Sequence, residues 1–128
     1  MRALVIDDSK TMRRIIARTL TDLGFSVAEA GDGAQALDVI RGGFVPDFAS
    51  VDWNMPVMDG LTFITNVRAN AMWRNITLMM VTTESEQSQV VRALAAGAHE
   101  YLIKPFTAEA LRDKLDLLGL LPYEAANS

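Results

Sequence analysis

Asp7 and Asp8 stand side by side where the first apolar run of the chain, Ala3-Leu4-Val5-Ile6, ends. A third carboxylate, Asp52, closes a second run, Phe48-Ala49-Ser50-Val51. Thr82 closes a third, Leu78-Met79-Met80-Val81, and Lys104 closes a fourth, Tyr101-Leu102-Ile103. Carboxylates crowded together repel, and they stay ionised only when a cation lies between them. Oxygen ligands without His or Cys suit a hard ion such as Mg²⁺, which keeps several waters and takes one or two carboxylates plus phosphate. A hydroxyl and an ammonium beside that ion can neutralise the oxygens of a phosphoryl group in transfer. One aspartate is then available as the nucleophile. These residue types describe a divalent-metal and phosphoryl site, provided that the fold gathers the four strand ends.

The elements needed to gather them are written in the hydrophobic pattern. Met12, Ile16, Leu20 and Leu23 share one face of a helix predicted from about Lys10 to Leu23, with Ser9 as its N-cap and Gly24 as its stop. Phe25-Ser26-Val27-Ala28 reads as a short strand. Asp32 and Gln35 form a capping arrangement for a helix ending at Arg41, before Gly42-Gly43. Pro46-Asp47 opens the strand that ends in Asp52, and Pro56 keeps the centre of the following loop out of helix. Leu61, Ile64 and Val67 mark the next helix. After the Thr82 strand come a helix around Ser88 to Ala96, ended by Gly97, the Lys104 strand, and a helix from about Ala108 to Leu118. Strand and helix alternate throughout, which argues for a parallel α/β sheet covered on both faces. The carboxyl ends of parallel strands share one edge, where ligands bind. Residues 1–119 are expected to form one domain and 120–128 a short tail, with no output domain.

Composition narrows the classes. The chain has 128 residues, of which 50% are hydrophobic and 22% charged, ordinary values for one globular domain. A net charge of −4 and the absence of a basic stripe argue against a nucleic-acid surface. Arg13-Arg14 is the densest cationic spot and reads as a solvated helix face. With no cysteine, disulfides, thiolate metal sites and thiol catalysis are all removed. No apolar run reaches the roughly 18 residues needed to span a bilayer. The first strand begins almost at once, leaving no room for a signal peptide, so no membrane insertion and a cytoplasmic location are expected.

Asp7-Asp8-Ser9-Lys10-Thr11-Met12-Arg13-Arg14, Asp52-Trp53-Asn54-Met55-Pro56-Val57-Met58-Asp59-Gly60, Thr82 and Lys104-Pro105-Phe106 together resemble a two-component response regulator receiver domain, over essentially the whole chain. The single-domain chemotaxis (CheY-like) members are the most similar. The resemblance implies a flavodoxin-like (βα)5 three-layer sandwich with a five-stranded sheet in the order 2-1-3-4-5, an order that the hydrophobic pattern does not supply. It implies that Asp52 is the phosphorylated residue, and that Asp8 binds Mg²⁺ directly, Asp7 through water and Asn54 by its backbone carbonyl. It also implies that Thr82 hydrogen-bonds the phosphoryl group and that Lys104, aimed by a cis Lys104-Pro105 peptide, pairs with it. Thr82 and Tyr101 would form the switch, and Asn54 and Glu84 would tune dephosphorylation.

The implied function is a phosphorylation-activated signalling switch. It takes its phosphoryl group from a histidine kinase and binds a downstream target, with the flagellar motor switch as the expected kind. A separate phosphatase is a further expected partner, and a monomer is the expected state. Such a protein turns over no external substrate, although it catalyses its own phosphorylation and dephosphorylation. Two alternatives use similar groups. One is a phosphorelay intermediate that passes the group to a histidine phosphotransfer protein. The other is an aspartyl phosphatase of the haloacid-dehalogenase kind, which places a second Asp where this chain has Asn54. Other conspicuous residues have ordinary readings. Met55, Met58, Met79 and Met80 fill core and loop gaps. His99 is a partly exposed polar residue, and Trp73 caps the helix after Gly60. Trp53, next to Asp52, should report on charge there. Without the resemblance, Tyr101 would be a half-buried strand residue with a wet hydroxyl.

Overall fold

We describe the fold from a computed structural model, which defines residues 1–83 and 87–121. Five strands run in chain order as β1 (Arg2–Ile6), β2 (Ser26–Ala30), β3 (Phe48–Val51), β4 (Thr77–Thr82) and β5 (Glu100–Ile103). Between and after them lie α1 (Lys10–Asp22), α2 (Gly33–Arg41), α3 (Gly60–Ala69), α4 (Gln87–Ala96) and α5 (Ala108–Leu117). All strand pairs are parallel, in the order β2-β1-β3-β4-β5. The chain therefore folds as the flavodoxin-like sandwich.

Two-residue alternation divides the sheet between two cores. Leu4 and Ile6 of β1, Ala49 and Val51 of β3, and Leu78 and Met80 of β4 face α2, α3 and α4, where they meet Leu37, Ile40, Phe63, Ile64, Val67 and Ala93. Ala3, Val5, Phe48, Met79 and Val81 face the other way, onto Ile16, Ala17 and Leu20 of α1 and Leu111 and Leu115 of α5. With both faces covered, β1, β3 and β4 become continuous apolar runs rather than alternating ones. Ser50 of β3 and Thr82 at the end of β4 are the buried polar residues within these strands, and the charged residues Asp7, Asp52 and Lys104 come just past the strand ends.

Helix starts follow their capping chemistry. The side chains of Ser9, Asp32, Asp59 and Thr107 accept from the backbone N–H groups of Met12, Gln35, Thr62 and Ala110. Gln35 reaches back to accept from the Gly31 N–H at 2.9 Å, so the capping box holds one residue earlier than its usual target. Two expectations need correction. The second strand begins at Ser26 and continues to Ala30, because the Phe25 N–H is used by the end of α1, donating to the Leu20 carbonyl at 3.0 Å. Trp73 does not cap α3. It ends a separate 3₁₀ turn, Ala71–Trp73, started by the Asn70 side chain, which accepts from the Met72 N–H at 2.9 Å.

His99 and Arg68 form a clamp at the sheet edge far from the aspartates. Nδ1 of His99 accepts from the Leu78 N–H at 3.2 Å. Arg68 of α3 donates to the carbonyls of Gly97, Arg74 and Ile76 at 2.9 to 3.2 Å. Gly97 has φ +121, and a side chain there would strike Arg68. This guanidinium therefore ties α3 and the 3₁₀ turn to β4 and to the α4–β5 turn.

Candidate functional site

Asp7 follows β1 and is fixed on three sides. Its N–H donates to the Ala30 carbonyl at 3.1 Å, extending the β1–β2 ladder by one rung. One carboxylate oxygen accepts from the Ser9 N–H at 2.9 Å, and the other pairs with Nζ of Lys104 at 2.6 Å. Its carbonyl accepts from Nη1 of Arg13 at 2.9 Å. Asp8 is exposed, whereas Asp52 is buried. The Asp52 N–H donates to the Ile6 carbonyl at 3.0 Å, so the β1–β3 ladder sets its position directly. Lys104 follows β5, and its N–H donates to the Thr82 carbonyl at 2.8 Å. The Lys104–Pro105 peptide is cis.

These ladders bring the strand ends together as the residue types require. One carboxylate oxygen from each of Asp7, Asp8 and Asp52 lies within 4.8 Å of the others. Nζ of Lys104 is 2.6 Å from Asp7 and 3.7 Å from Asp52. The lysine is thus held more closely by Asp7 than by the aspartate it was expected to serve. Burial pushes the Asp52 carboxyl up to about 6. Lys104 pulls it down, Asp7 and Asp8 push it up, and the Trp53 backbone N–H lowers it again. One ammonium among three carboxylates leaves the cluster short of positive charge. An all-oxygen donor set with that deficit fits a hard divalent cation.

Thr82 ends β4, buried beside the cluster, and Tyr101 pairs in register with Met80 on β5. Thr82 and Tyr101 both line a small cavity, of about 10 Å³, with Trp53, Met80, Gln89 and Val90. Tyr101 is partly buried, with Nζ of Lys114 5.1 Å above its ring. Trp53 lies under the Arg92 guanidinium at 5.9 Å. Asn54 is exposed in the loop immediately after Asp52. Glu84 lies outside the described residues, as do residues 122–128 of the expected tail.

The β3–α3 loop is built by close approaches. A Cβ on Gly60 would fall on the Asp52 carbonyl oxygen. Only glycine lets the first turn of α3 sit so near the aspartate. The Gly60 N–H closes the loop onto the Trp53 carbonyl at 3.0 Å. Val57 at the loop tip has φ +67 and is 86% exposed, and the Met58 N–H donates to the Pro56 carbonyl at 2.7 Å. That is a γ-turn with a β-branched residue in the left-handed region, a costly combination.

The fold thus gathers Asp7, Asp8, Asp52, Thr82 and Lys104 at one edge, and Tyr101 lines a small cavity together with Thr82. Sequence reasoning overlooked Arg13 and Gly60. A pair of adjacent arginines does not say which of the two turns inward, and only the Asp59-Gly60 sequence hinted at a tight helix start.

A family profile for the response regulator receiver domain matches residues 3–116. A chemotaxis protein CheY homolog of Campylobacter jejuni is 46% identical, covering 98% of this chain and 98% of its own. Chemotaxis protein CheY of Pseudomonas aeruginosa is 44% identical, covering 91% of this chain and 94% of its own. Among solved structures, chemotaxis response regulator CheY4 of Vibrio cholerae superposes with a TM-score of 0.84 at 34% identity, covering 91% of this chain and 97% of that one. On profile, identity and fold together, this chain belongs to the response regulator receiver domain family.

Proposed function

We propose that this receiver is switched by phosphorylation of Asp52, with a histidine kinase as donor and Mg²⁺ as cofactor. The observation that carries this reading is the convergence of three carboxylates within 4.8 Å beside Lys104. Receiver domains of this CheY-like class are signalling switches of two-component systems and not metabolic enzymes. In the transfer, an Asp52 oxygen attacks phosphorus, the P–N bond to the donor imidazole breaks, and the imidazole departs. Asp8, Asp52 and the backbone carbonyl of Asn54 would hold the ion, and Asp7 would reach it through water. This division is supported by the engagement of both Asp7 oxygens, while Asp8 stands open to solvent. When bound, the ion neutralises charge on the phosphoryl oxygens. Lys104 pairs with a second phosphoryl oxygen, and Thr82 donates to a third.

Drawing Thr82 toward the phosphoryl group frees space on its Tyr101 side. Tyr101 turns inward, and the surface of α4, β5 and α5 changes with it. Phosphorylation must stabilise one of two accessible states more than the other, because a group indifferent to both shifts nothing. We place the receiver in residues 1–119, and the family profile, which matches residues 3–116, supports these bounds. The remodelled surface then passes the signal on by binding a target. The relatives' names favour a chemotaxis target such as the flagellar motor switch. Asn54 and Glu84 would tune water attack on the acyl phosphate, giving a short-lived activated form that a phosphatase can shorten further. A lifetime of many hours would contradict that part of the reading.

The test is titration with beryllofluoride, a phosphoryl mimic, followed by Trp53 fluorescence. The signal should change only when Mg²⁺ is present and should vanish in Asp52→Ala. An unchanged response in that variant would overturn the assignment. Sustained turnover of p-nitrophenyl phosphate would instead favour an aspartyl phosphatase, which the Asn54 position argues against.

A further inference from the structure

We infer that Arg13 is a positioning residue for the metal-binding carboxylates, acting through the Asp7 carbonyl. The inference rests on the metal site proposed above. Arg13 lies in α1, and its side chain is 20% exposed. Its two contacts leave the helix in different directions. Nη1 donates to the Asp7 carbonyl at 2.9 Å, and Nε donates to Oε1 of Glu29 on β2 at 3.1 Å. The guanidinium therefore bridges the first helix, the second strand and the turn between β1 and α1.

The peptide that Arg13 grips is the one joining Asp7 to Asp8. The Asp7 N–H is already fixed on Ala30 and its carboxylate on Ser9 and Lys104. The carbonyl was the remaining free group of that residue, and its direction sets the plane from which Asp8 departs. Asp8 is exposed, so packing does little to place its carboxylate. Its approach to Asp7 and Asp52 must come from the backbone, and the backbone there is held by Arg13. Glu29 keeps the guanidinium aimed, because a planar fork bound at one nitrogen has little freedom at the next. Gln35 accepts from the Gly31 N–H at 2.9 Å and steadies the neighbouring β2–α2 turn. Arg14, the next residue, is exposed and takes no part.

Positioning and electrostatics make opposite predictions here, which allows a sharp test. Arg13 carries positive charge toward a site that is to receive a cation. If charge were its main influence, its removal would tighten Mg²⁺ binding or leave it unchanged. If it holds the turn, removal weakens binding, by roughly tenfold or more as is typical when a group orienting a metal ligand is lost.

The experiment is Mg²⁺ titration followed by Trp53 fluorescence on the wild type, Arg13→Ala, Arg13→Lys and Arg14→Ala, each with a thermal melt. Weakened binding in Arg13→Ala, unchanged binding in Arg14→Ala and an intermediate loss in Arg13→Lys support the inference. Lysine keeps the charge but replaces the two separate donor nitrogens of the planar fork with one, so it cannot reproduce both contacts from their present positions. Equal or tighter binding in Arg13→Ala overturns it. If Arg13→Ala gives no cooperative melt, Arg13→Lys decides alone: weaker binding supports the inference and wild-type binding overturns it. A wild type whose Trp53 signal does not respond to Mg²⁺, or responds equally in Asp52→Ala, removes the metal site and this inference with it.

Discussion

Asp52 is the residue whose environment departs furthest from that of a free carboxylate. Its folded value of about 6 lies above the ordinary 3.8, so the protonated form is favoured by folding. The stability this contributes is fully present below the ordinary value and is lost as pH rises through about 6. The metal-free protein should therefore lose stability across that interval, and Asp52→Asn should flatten the dependence in a urea titration at several pH values. The same proton competes with metal. Mg²⁺ affinity should fall by about tenfold for each pH unit below the Asp52 value. An affinity independent of pH between 5 and 7 (roughly the span around that value) would mean that Asp52 is not a ligand. Val57 presents a smaller test. A β-branched side chain in a γ-turn, with 86% of its surface exposed, gains little from burial. Val57→Gly should raise stability by about 1 kcal/mol, the relief of left-handed strain less the entropy that glycine adds to the unfolded chain.

The elements were legible where one physical signal dominated. The runs ending in Asp7-Asp8, Asp52, Thr82 and Lys104 are largely apolar because both faces of the sheet are covered, and their polar ends mark where the strands run out at one edge. The caps at Ser9 and Asp32 were legible for the same reason, since a helix start must satisfy its own N–H groups. Phe25 was misplaced because a strand pattern cannot show that the end of α1 has already taken its N–H. The close approaches were hinted at only by the Asp59-Gly60 sequence. Gly60 reads as an ordinary helix start, yet its missing Cβ is what lets α3 press against the Asp52 carbonyl. Gly60→Ala should cost about 2 kcal/mol or more in chemical denaturation, as overpacking against rigid backbone does. It should also weaken Mg²⁺ binding, because the strain falls on Asp52, the proposed phosphoryl acceptor and metal ligand. A variant of wild-type stability and affinity would show that the loop yields freely.

At the scale of the molecule, the two ends of the sheet have separate tasks. The carboxyl ends gather charged groups that repel one another, and the opposite edge holds the Arg68–His99 clamp, whose hydrogen bonds to the backbone join α3, β4 and the α4–β5 turn. Arg68 donates to three backbone carbonyls, and Arg68→Ala should lower stability by about 2–4 kcal/mol while leaving Mg²⁺ affinity near the wild-type value. Burial and the neighbouring Arg68 charge hold His99 below its ordinary value. Its contribution to stability is therefore present above the ordinary histidine value and is lost as pH falls through the lowered one. No helix among the described residues is long and apolar enough to cross a membrane. The strand order came from family resemblance, because alternation fixes which faces are buried but not which strands are neighbours. As proposed above, the carboxyl-edge cluster makes Asp52 the phosphoryl acceptor in a metal-dependent reaction, and this assignment stands or falls on where a phosphoryl group is found. It is tested most directly by mass spectrometry of the protein after incubation with acetyl phosphate, with and without Mg²⁺, followed by peptide mapping. A single phosphoryl group on Asp52, formed only with the metal and released by hydroxylamine, is expected. A phosphoryl group on any other residue, or one formed equally well in chelator, would contradict it.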